Sequence, residues 1–203
     1  KILTVRQPFL WYFSLWSYGL DGNGKFFRSF SKQYPSVARL AYGSKSKDSF
    51  SYFLDFTLSH NLLTPASRQS TRLPFSCDVY TSRIITMLVP ADQLPEFNGR
   101  IAADMSYGSV AKALRSFLPE IVIRTSTLND DFHAYANAGR LDFLGLKSDW
   151  KEEFPLESEQ VNVSSLSSSN TSLDKVQEYC SDYHRSLLAE KSHTASWLLD
   201  QLN

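Results

Sequence analysis

Two cysteines, Cys77 and Cys180, are all the thiols in a chain of 203 residues, and they form no C-x-x-C pair. That spacing excludes a disulfide framework and a zinc ribbon, and leaves at most one long-range bridge. It fits a reducing, intracellular compartment, cytoplasm or nucleus. The four histidines His60, His133, His184 and His193 stand far apart, with no H-x-H or H-E-x-x-H among them. No metal site and no cofactor are expected.

Long apolar runs are missing too. The run Phe9-Leu10-Trp11-Tyr12-Phe13 is interrupted by Ser14 and Ser17, and nothing reaches the roughly 18 apolar residues of a membrane span. No small-residue cleavage signal follows it, so no secretory leader is read. A start at Lys1 rather than Met admits a fragment. Glycine and proline are sparse, at 8 each. There is no G-x-S-x-G elbow, and the glycines of Asp21-Gly22-Asn23-Gly24 read as a turn, not a phosphate loop. RNP, KH and zinc-finger signatures are absent. The sequons Asn162-Val-Ser and Asn170-Thr-Ser lie in a serine-rich stretch where composition alone produces them.

Aromatic residues, by contrast, make up 14% of the chain. Domains of this size bury about 70% of their unfolded surface, so no covalent staple is needed. Charge is abundant and unevenly placed. Residues 1–90 carry 11 Lys+Arg against 4 Asp+Glu, a net of +7, and residues 91–203 carry a net of −7. The zero total hides two opposed halves, which points to an anionic partner or to a charge match between chains.

Periodicity yields an α+β expectation, with mainly antiparallel strands in the N-terminal half and helices in the C-terminal half. Strands are expected at Ile2–Val5, at Ser49–Ser59 by alternation of Phe50, Tyr52, Leu54, Phe56 and Leu58, at Val79–Val89, and at Glu120–Thr125. Helices are expected over 9–18 and from Ser109 to Phe117. A third runs from a Thr127 cap through Ala138 to Gly139. A last helical stripe combines Leu173, Val176, Cys180, Tyr183 and Leu187. The organisation read is a globular unit over 1–154, a Ser-rich linker over 155–171 and a C-terminal helical segment over 172–203. The run Leu3-Thr-Val-Arg-Gln-Pro-Phe9 resembles the opening of ASCH domains, small RNA-associated β-barrels. The resemblance covers seven residues, and no function is assigned from it.

Three functional readings follow. The first is a non-enzymatic binding or assembly protein whose basic half contacts RNA or single-stranded DNA. Lys25, Arg28, Lys32, Arg39, Lys45 and Lys47 occur between residues 22 and 47 without one acidic residue. Aromatics are interleaved with them, the pairing that single strands ask for, with cations for phosphates and π-faces for bases. Tyr34 and Tyr42 are the stacking candidates, and Arg68 and Arg72 add charge in a loop. The second is a structural or scaffold subunit, homo-oligomeric or bound to another protein. It would assemble through its opposed halves and a C-terminal helix anchored by Leu187, Trp197 and Leu198. The third and weakest is a hydrolase using Asp130 and His133, which are three apart on one helix face.

Overall fold

The computed structural model describes residues 2–59, 78–102, 107–124, 128–140, 178–192 and 196–197, apart from the side chains at 102, 107–109 and 128–130. The described chain is predominantly helical. It runs β1 (Ile2–Val5), α1 (Pro8–Leu20), α2 (Lys25–Gln33), α3 (Pro35–Ala41), α4 (Lys47–Ser59), α5 (Val79–Leu88) and α6 (Leu94–Ala102). Then come α7 (Tyr107–Leu114) with a 3₁₀ turn (Arg115–Phe117), β2 (Ile121–Arg124), α8 (Leu128–Asn137) and α9 (Asp182–Lys191).

The α+β expectation of an antiparallel N-terminal half is overturned, because β1 and β2 pair parallel and two long segments expected as strands are helices. In α4 the buried residues are Ser49, Phe50, Phe53, Leu54, Thr57 and Leu58, a period of three and four. Alternation had placed Tyr52 inside and Phe53 outside. Tyr52 is instead 39% exposed and Phe53 fully buried. Phe53 was the deciding residue, since an apolar side chain on the supposed polar face satisfies the helical period and breaks the strand one. Thr57 fits the helix by donating its hydroxyl to the Phe53 carbonyl, 2.7 Å away.

α5 starts where Asp78 accepts a hydrogen bond from the Thr81 N–H at 3.0 Å, an N-cap that outweighs the β-branched composition following it. Residues 3–9, which carry the resemblance to an ASCH opening, span the end of β1 and the start of α1. That stretch is a four-residue strand running into a helix with Pro8 in its first turn.

Other expectations hold in the main. α1 runs past the expected end at residue 18, through Gly19, and closes in the turn expected at 21–24, where Gly22 at φ 74° donates its N–H to the Gly19 carbonyl while Asn23 reaches that of Tyr18. α8 closes the same way, with Gly139 at φ 67° and Arg140 N–H on the Tyr135 carbonyl. The C-terminal stripe is corrected in part. Cys180 lies between a turn and α9, Ser181 caps α9, and Tyr183 is 64% exposed. Residues 155–171, Thr127, Leu173 and Val176 lie outside the described residues, as do both sequons and Cys77.

The core is built from rings. Phe9, Phe13, Trp16, Phe50 and Tyr179 meet edge-on or tilted between α1, α4 and the turn before α9. Phe26, Phe30, Tyr34, Tyr42, Phe53 and Phe56 form a second set between α2, α3 and α4. Pairs in these geometries add about 0.5–1.5 kcal/mol each beyond the area they bury. The Trp16 indole donates to the Ala41 carbonyl at 2.7 Å, which ties α1 to α3.

The small sheet divides this core from a second cluster. Leu3, Val5 and Val122 face the large core, whereas Ile121 and Ile123 pack on Phe132, Tyr135 and Ala136 of α8. No described helix is long and apolar enough to cross a membrane.

Candidate nucleic-acid interface

Helix α2 is sharply two-sided. Phe26 and Phe30 pack into the ring core, and Phe27 lies edge-on to Tyr42. Lys25, Arg28 and Lys32, at i, i+3 and i+7, are exposed on the opposite face. Together they span about 10 Å along the helix. α3 packs beside α2, and its Arg39 is exposed as well. The loop from Tyr42 to Ser46 then presents Lys45, and Lys47 opens α4.

Two of these cations sit where helix electrostatics would not place them. Lys25 and Lys47 are the first residues of their helices, at the positive end of the backbone dipole. Lys32 and Arg39, in last turns, sit at the favoured end. Helix N-termini carry unpaired N–H groups that receive anions, so Lys25 and Lys47 each add a charge beside an anion-friendly end. Serine hydroxyls line the same loop. Ser46 caps α4 by accepting from the Ser49 N–H at 3.2 Å, and Ser44 bonds the hydroxyls of Ser46 and Ser49 at 2.8 and 2.9 Å. Lys47 also meets Glu178 at 3.8 Å, with both side chains largely in water.

The two tyrosines named for stacking are turned inward. Tyr42 packs on Phe27, Phe30 and Phe53, and its ring would lie 2.5 Å from a β-carbon added at Gly19. Its hydroxyl is buried without a hydrogen-bond partner among the described residues, and burial holds its pKa well above the usual tyrosine value. Tyr34 is half-buried against Phe30 and Phe56. Arg68 and Arg72 lie outside the described residues.

The remaining candidates are scattered. His133 is half-buried on α8, while the side chain of Asp130 lies outside the described part of the chain. The neighbouring Asp131 is the engaged carboxylate. It takes the Arg124 backbone N–H at 2.9 Å and the guanidinium at 3.1 and 3.3 Å, bracing β2 against α8. Leu187 and Trp197 are half-buried against the chain's own core, and Leu198 lies outside the described residues. No group of three or more His, Cys, Asp and Glu among the described residues could hold a metal ion.

No protein-family model, curated protein or solved structure matches the chain. Function is therefore read from surface chemistry alone. Sequence reasoning missed the groups that converge from afar, above all Asp78 with Ser192 and Asp55 with His184. Only the local Ser181-x-x-His184 spacing was open to inspection.

Proposed function

We propose that the chain binds nucleic acid, RNA or single-stranded DNA, through the outward face of α2 and α3 and the adjoining loop to α4. The observation that supports this is the division of labour in residues 25–47. The aromatics of this segment pack inward, and its six cations stand exposed without an intervening acid. Such a surface contributes little to folding. It tracks phosphates by charge, with backbone contacts setting the affinity. Because Tyr34 and Tyr42 are committed to the core, the reading rests on the cations and needs no base stacking.

The test is fluorescence anisotropy of labelled single-stranded RNA, single-stranded DNA and duplex DNA over a salt series. If six cations meet phosphates of a single strand, log K falls against log salt with a slope of roughly −4. Reversing charge at Lys25, Arg28 and Lys32 to Glu should abolish binding at physiological salt while leaving the helical signal intact. Unchanged affinity in that folded variant would sink the proposal.

A further inference from the structure

A hydrogen-bonded chain of three side chains joins α9 to α4. The Ser181 hydroxyl lies 2.7 Å from Nδ1 of His184, and Nε2 of His184 lies 2.9 Å from Oδ1 of Asp55, 129 residues away. The imidazole is buried, with 6% of its side chain exposed. Ser181 is exposed, and the Asp55 side chain is 51% exposed.

The donor inventory assigns the protons. With the ring neutral, the form that can act as a base, an ionised carboxylate only accepts, so Nε2 carries hydrogen toward Asp55 and Nδ1 keeps its lone pair toward Ser181. The hydroxyl proton of Ser181 therefore points at a base whose tautomer is held by an acid. Capping does not explain this. Ser181 caps α9 by accepting the His184 N–H at 3.3 Å, which uses an oxygen lone pair and leaves the hydroxyl proton free to go elsewhere. Burial of the ring calls for a partner on each nitrogen, and the two it has are an exposed hydroxyl and a carboxylate from another helix.

We propose that Ser181 is an activated nucleophile, with His184 as its general base and Asp55 as the positioning residue. The site is open at the protein surface and would take small activated acyl esters or phosphoryl halides. In the step, Ser181 Oγ bonds to the electrophilic carbon or phosphorus as its proton passes to Nδ1. The bond to the leaving group then breaks, and that group departs with the proton from Nδ1. Water then attacks the acyl-enzyme as its proton passes to the same nitrogen, and Nδ1 returns that proton to Ser181 Oγ as the acyl–oxygen bond breaks and the acid leaves. The N–H groups of Asp182 and Tyr183 belong to the first turn of α9, which Ser181 caps, have no carbonyl partner within the helix and would be the donors to a developing oxyanion.

The arrangement assigns carboxylate, imidazole and hydroxyl the roles of a serine hydrolase triad, with the two ring nitrogens exchanged. It is the convergence that the Asp130 and His133 reading looked for, at another pair of residues.

Diisopropyl fluorophosphate tests it, read by peptide mass spectrometry. A single diisopropylphosphoryl group is expected on Ser181. Ser181→Asn retains a capping oxygen, so it should keep the fold and lose the adduct completely. Asp55→Asn, at a half-exposed position, should slow labelling by about tenfold or more, and Asp55→Glu should restore most of the rate. His184→Gln should slow it by about 100-fold. Absence of an adduct on Ser181 overturns the proposal, as does labelling at an undiminished rate in Asp55→Asn. Neither outcome depends on whether His184→Gln folds.

Discussion

Ser192 donates a 2.5 Å hydrogen bond to the Asp78 carboxylate across 114 residues of chain. The same carboxylate accepts the Tyr12 hydroxyl at 2.9 Å and caps α5 through the Thr81 N–H. One buried acid therefore joins α1, α5 and the residue after α9. Removing a donor leaves a buried acceptor short of partners, which costs about 1–3 kcal/mol. Ser192→Ala should lower the urea midpoint accordingly, with the slope unchanged.

Asp78 also sets a pH dependence. Burial raises its pKa, and the hydrogen bonds from Ser192, Thr81 and Tyr12 pull it back only in part. An acid with a folded pKa above its unfolded value binds more protons when folded, so this contribution is complete below the unfolded value of about 3.9. It is lost as pH rises through the raised folded value. Asp78→Asn should flatten that decline in a series of urea melts, and Ser192→Ala should extend it to higher pH. Identical pH profiles in all three proteins would contradict the assignment.

Gly19 and Tyr42 form a second contact that can be tested from both sides. A methyl at Gly19 would meet the Tyr42 ring at 2.5 Å, so Gly19→Ala should destabilise by about 1–3 kcal/mol. Tyr42→Phe removes a buried hydroxyl that has no partner among the described residues, so it should be neutral or raise the melting temperature.

The pairing of Tyr52 with Phe53 decides between helix and strand over 47–59. Phe53→Ala should cost about 3–5 kcal/mol, since its ring is fully buried. Tyr52→Lys, on the exposed face, should stay within about 0.5 kcal/mol. A strand would reverse the order of the two effects.

Glu178 sits against Lys47 at 3.8 Å at the edge of the proposed nucleic-acid surface. Glu178→Gln should strengthen binding of single-stranded RNA by about two- to threefold at low salt, and the gain should vanish as salt screens the pair. An effect independent of salt would mean the residue acts by some other route.

Local chemistry determined much of this protein. Pro8 beside the start of α1, the turn at Gly22, Gly139 closing α8, and the β-prone runs Ile2–Val5 and Ile121–Arg124 are written within a few residues. The acid-free run over 22–47 is equally plain in one dimension. Tertiary structure decided what those cues left open. Residues 49–59 follow the strand alternation everywhere but at Phe53, and burial of Phe53 and Thr57 selects the helix. The inward turn of Tyr42 depends on Gly19, and the Asp78–Ser192 and Asp55–His184 bonds depend on where α9 docks. Such contacts form between residues far apart in the chain, where no local preference constrains them and only the shared core brings them within reach.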